Sequence, residues 1–282
     1  MRRREFIHAS AAAMAGMLAV PALGEPAAKK RKIGIQLYTL KDVIDKDPKG
    51  ILKQLASFGY TELETYGYND GKLFGLSVAE FGNEVKALGM QTVSGHFGID
   101  LVRNDWERTV ADAKSLGQSY ACVPWLPEQD RTLDGIKRVC ETINKGAEIC
   151  KKYGMKIGYH NHDFEFKDAG NGKLLFDVML EELDPKLVSM EMDIFWVVAA
   201  GYDPLAYFKK YPGRFEQWHV KDQDKEVPTR NTEVGNGTID FKAIFAQAKL
   251  SGMKHFYVEQ EFFTRPSIES ARICIENLKK MI

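Results

Sequence analysis

The sequence lacks a surplus of either charge: 39 lysines and arginines face 39 aspartates and glutamates across 282 residues. A nucleic-acid binder ordinarily carries a basic excess, so the balance argues against that class of partner. Cysteine is sparse. Cys122, Cys140, Cys150 and Cys274 are the full set, and no two stand in a CxxC spacing, which speaks against thiol metal sites, redox motifs and a disulfide scaffold. They read as buried free thiols. Beyond the N-terminus no apolar run reaches the ~18 residues of a membrane span. No GxGxxG follows the first strand-like segment, so the dinucleotide fingerprint is missing. What remains, 44% hydrophobic and 28% charged, is the make-up of a globular domain with an ample core.

The N-terminus stands apart from that domain. Arg2-Arg3-Arg4-Glu5-Phe6 precedes an alanine-rich apolar stretch that ends near Leu23-Gly24. A basic start, a short apolar core and a small-residue end make an export signal, and Arg3-Arg4-x-Phe6 resembles the twin-arginine type. Residues 1–24 are expected to be a signal peptide, and 25–282 one periplasmic domain with a net charge near −2. Outside the cytoplasm a phosphorylated substrate is not expected, and no glycine-rich phosphate cradle is present.

Along the domain one punctuation recurs. A helical pattern ends in glycine and an apolar strand follows, at Phe58-Gly59, Leu88-Gly89, Leu116-Gly117, Tyr153-Gly154 and Ser251-Gly252. The strands read as 32–38, 61–66, 91–96, 119–124, 155–161, 187–193, 215–221 and 254–260, with helices such as 77–88, 131–153 and 266–281 between them. Eight strands alternating with helices predict an α/β fold, a (β/α)8 TIM barrel in a single domain. An open doubly wound sheet is the rival.

Buried parallel strands should be apolar to their ends, yet the late strands finish in titratable side chains. Residues two apart on a strand share a face. His160/His162, Glu191/Asp193, His219/Lys221 and Glu259/Glu261 are same-face pairs on four consecutive strands. Burying so much charge without compensation is very costly. A divalent cation at the barrel mouth would neutralise the carboxylates, and a nitrogen and oxygen donor set suits Mn, Zn, Co or Mg. His255, near the start of strand eight, reads instead as a hydrogen-bonded core residue.

The phrases GYHNHDFEF, MEMDIFW, WHVKD and YVEQE, with IGIQLYTL and ELETYGY near the front, resemble the sugar isomerase/epimerase superfamily with a xylose isomerase-like TIM barrel. The resemblance implies one divalent metal held by residues of strands five to eight. Asp193, His219 and Glu259 fall on the ligand positions of strands six, seven and eight. Strand five usually supplies Glu, and His160 stands there. In the superfamily's epimerases two ligand glutamates exchange the sugar's proton from opposite faces, so this departure puts a two-carboxylate epimerase in doubt.

The expected activity is a divalent-metal-dependent isomerase or epimerase acting through an enediolate on an unphosphorylated sugar or keto-sugar. Two alternatives stand: a metal-dependent lyase or hydratase on 3-keto-glycosides, and a sugar-binding barrel without catalysis. A metal-dependent endonuclease on the same barrel would want a basic groove, which the charge opposes. Glu259, Glu165 or His162 are the candidate bases, and Lys221 would steady oxyanion charge. Gln36, Tyr38, Glu64, Tyr66, His96 and Glu261 are expected at the mouth. Trp125, Trp196 and Trp218 offer apolar faces to a sugar ring. The loop from Asp222 to Asp240 is expected over the site. A homo-oligomer is left open.

Overall fold

The computed structural model describes residues 31–170 and 172–282; the expected signal peptide, His8 included, lies outside them. The barrel strands are β1 Gly34–Gln36, β2 Glu62–Thr65, β3 Gln91–Gly95, β4 Tyr120–Val123, β5 Lys156–His160, β6 Val188–Asp193, β7 Gln217–Val220 and β8 His255–Val258. Each pairs in parallel with its neighbours in chain order, and β8 pairs with β1. The remaining gap, β3 to β4, is bridged by backbone bonds at 2.8 Å from Ser119 N–H to Val93 O and from Phe97 N–H to Cys122 O. The ends of the sheet therefore meet, and the open-sheet rival is excluded.

Local chemistry explains the agreement with the sequence pattern. β4 and β6 are buried along their whole length, as strands covered by helices outside and side chains inside must be. The helix Leu133–Lys152 buries Ile136, Val139, Cys140, Ile143, Ala147 and Cys150, three or four apart on one face. Helix Val78–Ala87 starts at a Ser77/Glu80 capping box. Gly59 and Gly252 close their helices at φ of 100° and 85°, a region that a Cβ disfavours. All four cysteines are buried free thiols. Among the described residues no helix is long and apolar enough to cross a membrane.

The closed end of the barrel is pinned by buried polar groups. Glu62 binds His255 Nδ1 at 2.7 Å and Gln91 Nε2 at 2.9 Å, and Glu216 binds Tyr120 Oη at 2.9 Å and Lys156 Nζ at 2.6 Å. His255 is thus a hydrogen-bonded structural residue. Packing is tight higher up as well: a Cβ on Gly158 of β5 would collide with Cys122 Sγ of β4. Gly158→Ala is expected to cost about 1–3 kcal/mol through overpacking, read as a lower denaturation midpoint with an unchanged m-value.

Register carries the fold to the site. His160 lies beside Glu191, Asp193 beside His219, and Gln36 beside Glu64. Residues far apart in sequence therefore arrive at matching heights where the strands end, the face at which barrels of this kind carry their chemistry.

Candidate active site

Ligand-capable atoms of His160, Asp193, His219 and Glu259 all lie within 4.8 Å of one another, and all four residues are buried. Their contacts sort into two tiers. In the upper tier His219 Nδ1 is 2.9 Å from Glu259 Oε2, His160 Nε2 is 3.8 Å from Asp193 Oδ2, and Lys221 Nζ is 2.9 Å from Asp193 and 2.7 Å from Glu259. In the lower tier His219 Nε2 is 2.6 Å from Glu64 Oε2, and His160 Nδ1 is 3.3 Å from Glu191 Oε2. His96 Nε2 reaches Glu191 at 2.8 Å and Glu64 at 3.2 Å, and Gln36 Nε2 donates to Glu64 at 2.9 Å.

Each of the two imidazoles therefore turns one nitrogen to the upper carboxylates and the other to a buried glutamate. That is the arrangement by which an outer carboxylate fixes the tautomer and orientation of a metal-ligating histidine. The lower tier was not foreseen in this role. Glu191 was visible only as the same-face partner of Asp193, and Glu64, Gln36 and His96 were expected at the mouth. Of these, only His96 lines the cavity; Glu64 and Gln36 are buried beneath it.

The electrostatics follow the geometry. Burial opposes charge on His96, but Glu64 and Glu191 overcome it and raise its pKa to about 9. His219 is likewise raised well above the usual imidazole range against burial, by Glu191, Glu259 and Glu64. Burial works to raise Glu259, yet Lys221 and His219 hold it well below the carboxylate range. Burial lifts Asp193 to about 6 against Lys221 and His219. His160 and His162 are pulled the other way: burial, with His219 beside the first and Lys221 near the second, lowers His160 well below 6.5 and His162 to about 3. Both are neutral at physiological pH.

This donor set fits a divalent ion. Asp193 Oδ2, in the upper tier, is buried without a hydrogen-bond partner among the described residues, Lys221 facing it as an ion pair, and such an atom is costly unless another ligand engages it. Cys122, near Glu64 and Glu191, is kept a thiol by burial and by those two carboxylates, so the donors are nitrogen and oxygen. With both its nitrogens on carboxylates, His219 holds two protons, and one must leave before Nδ1 can bind an ion. At pH 7 we expect release of about one proton per ion, and affinity rising with pH until His219 itself deprotonates. Calorimetry in buffers of different protonation enthalpy reads both. Glu64→Gln is expected to weaken metal affinity about 10–100-fold by removing the charge that holds Nε2–H, measured by competition with a chromophoric chelator.

Above the cluster opens a cavity of about 600 Å³. His160, His162, Glu259 and Glu261 line it from β5 and β8; Tyr38, Tyr66, Tyr68, Phe97 and Trp125 line it from the segments after β1 to β4. Other expected residues lie elsewhere. Glu165 is fully buried in a short 3-10 turn, accepting from Tyr159 Oη at 2.6 Å and from the His162 amide at 2.9 Å, and burial raises it to about 7 against the Tyr159 bond. It does not line the cavity. Trp196 lies behind the site, its ring 5.5 Å from Lys221 Nζ, and Trp218 is core, stacked on Phe208. Lys221 is fully buried and also binds Glu261 at 2.6 Å, so it braces the acidic wall from behind. The loop after Asp222 contributes no lining residue. Its organiser is Asp222, whose carboxylate accepts from the amides of Gly235, Gly237 and Ile239, and its Asn231 accepts from the Glu261 amide.

Comparison with known proteins was made on this basis. A family described as "xylose isomerase-like TIM barrel" matches residues 52–281. The inosose dehydratase of Geobacillus kaustophilus is 24% identical over 238 residues, 70% of this chain and 74% of that one. That of Geobacillus thermodenitrificans is 29% identical but aligns over only 46% of its own length. Among solved structures, a sugar phosphate isomerase/epimerase from Parabacteroides distasonis superposes with a TM-score of 0.79 at 28% identity, covering 92% of this chain and 98% of that one. The protein IOLI, crystallised with a zinc atom, superposes at 0.69 with 17% identity, over 89% and 96% of the two chains, a likeness of fold.

Proposed function

For a chain that belongs to the xylose isomerase-like TIM barrel family, we propose that this protein is a metal-dependent lyase of the dehydratase type, acting by β-elimination on a ring ketone of the sugar or cyclitol kind. The dehydratase names of its relatives support this over the isomerase reading. The observation that carries it is on the strand-five side of the cavity. Only imidazoles stand there, because Glu165 is turned into Tyr159 and the His162 amide. The two-carboxylate form of epimerisation wants a glutamate on each face of the substrate; elimination on one face needs a single group.

His162 is that group. It is neutral and it lines the cavity. It accepts the proton from the carbon next to the carbonyl, and the imidazolium so formed is a strong acid. It passes the same proton to the departing oxygen at the next carbon, so a C–H and a C–O bond break, one C=C forms, and the leaving group departs with its hydrogen. His160, Asp193, His219 and Glu259 would hold a divalent ion, which when bound supplies electrostatic stabilisation of the developing enediolate. Lys221 keeps Glu259 ionised and holds both Glu259 and Glu261 in place. Export to the periplasm, inferred from the Arg3-Arg4 signal, agrees with an unphosphorylated substrate.

The test is incubation of zinc-loaded protein with a ring ketone, as the free polyol and as its glycoside, in D2O. Appearance of enone absorbance with release of water or aglycone supports the lyase. Deuterium uptake at the carbon without cleavage supports isomerase or epimerase chemistry instead. Binding with neither leaves a sugar-binding barrel.

A further inference from the structure

The mouth of the barrel is divided. Apart from His96 after β3, its acidic and imidazole groups come from the ends of β5 and β8, whereas the segments after β1 to β4 present aromatic rings. A cavity of about 600 Å³ falls within the range that encloses a drug-sized ligand, room for more than one sugar ring. Trp125 is the outstanding member of that half. Its indole is 49% exposed, yet it is not free: the Arg131 guanidinium lies 4.3 Å from its ring and 4.0 Å from the ring of Phe164. Arg131 Nε donates to Leu126 O at 2.8 Å, so the guanidinium is anchored along one edge. Phe164 in turn stacks on His162 at 6.3 Å. The wall thus runs from His162 through Phe164 and Arg131 to an immobilised, solvent-facing indole. A rigid apolar ring presented to a cavity loses little entropy when another ring packs on it.

We infer that the Trp125–Arg131 platform is a subsite for a second ring, so that the substrate is a glycoside whose reacting ring sits over His160, His162 and Glu259 while its aglycone, an aromatic group or another sugar, packs on Trp125. The orientation of the reacting ring rests on the proposed lyase reading; the subsite itself does not.

The test uses ligands that cannot react. Methyl and phenyl β-glucoside are titrated calorimetrically into zinc-loaded wild-type protein, Trp125→Ala and Arg131→Ala, each variant checked for folding by near-ultraviolet circular dichroism. Ring stacking of this kind is expected to favour the phenyl glycoside about tenfold in the wild type. The ratio should fall to about one in Trp125→Ala and to an intermediate value in Arg131→Ala, where the indole persists without its clamp. Equal affinities in the wild type, no measurable binding of either glycoside, or a preference that survives Trp125→Ala each overturns the subsite. Oxidised glycosides that bind with this preference but are not cleaved would sink the lyase and leave the subsite standing. Cleavage of ring ketones without any aglycone preference would do the reverse.

Discussion

Asp193→Asn is expected to strip the protein of its metal and reduce turnover to background while leaving the barrel folded. The substitution keeps the volume of the side chain and a carbonyl oxygen where Oδ1 accepts the Trp196 amide at 3.1 Å to start the helix Ile194–Ala199. What it removes is the anionic Oδ2 directed at His160 and Lys221. Loss of an outer partner of a metal ligand costs about 10–100-fold in affinity, and loss of a ligand itself should exceed that. If the ion contributes several kcal/mol of transition-state stabilisation, as such ions typically do, the rate falls by about 10³-fold or more. Elemental analysis and a turnover assay on one preparation decide it. Wild-type zinc content with wild-type rate in Asp193→Asn would remove Asp193 from the centre.

Lys221→Met should have the largest effect on stability. Its ammonium is fully buried and lies within 2.9 Å of Asp193, Glu259 and Glu261. Methionine fills the same space, so little packing is lost; what disappears is the cation facing three carboxylates. Breaking a buried charge arrangement from one side costs about 3–5 kcal/mol. The sign of its pH dependence follows from Glu259, which Lys221 and His219 hold below its ordinary value. In the wild type that pairing stabilises the fold above the unfolded carboxylate pKa and is lost as pH falls through the folded one. In Lys221→Met the stability deficit should therefore be large at pH 7 and shrink toward acid, as the carboxylates protonate. A divalent ion can replace the missing charge, so saturating zinc should raise the melting temperature of the variant more than that of the wild type. A variant that melts with the wild type at pH 7 without metal would show that the lysine has no such role.

The barrel was legible because its constraints are local. Strands buried on both faces read as apolar runs, and helix ends read as glycines; both signals sit within a few residues. The clustering of donor groups was legible for the related reason that period-two spacing on a strand survives in sequence: His219, Asp193 and Glu259 announce themselves as polar residues where apolar ones belong. What could not be read is how high each strand stands against its neighbour. Only the register places Glu191 level with His160, and Glu64 beneath His219, and so separates the groups that face a ligand from those that orient them. Glu165 was misplaced for another reason. It lies only three residues beyond His162, but the 3-10 turn Phe164–Phe166 turns its carboxylate back to the His162 amide, a reversal that no periodicity predicts.

The split of the barrel mouth also bears on how such a scaffold diverges. The groups proposed to carry the chemistry stand at strand ends of one semicircle, where altering a residue disturbs a buried web of charge. The aromatic wall stands on connecting segments of the other semicircle, and of these the one after β3 carries a member of that web, His96. New selectivity can therefore be acquired by exchanging the segments after β1, β2 and β4, and an engineer seeking a different leaving group should randomise Tyr38, Tyr68 and Trp125 before approaching any histidine.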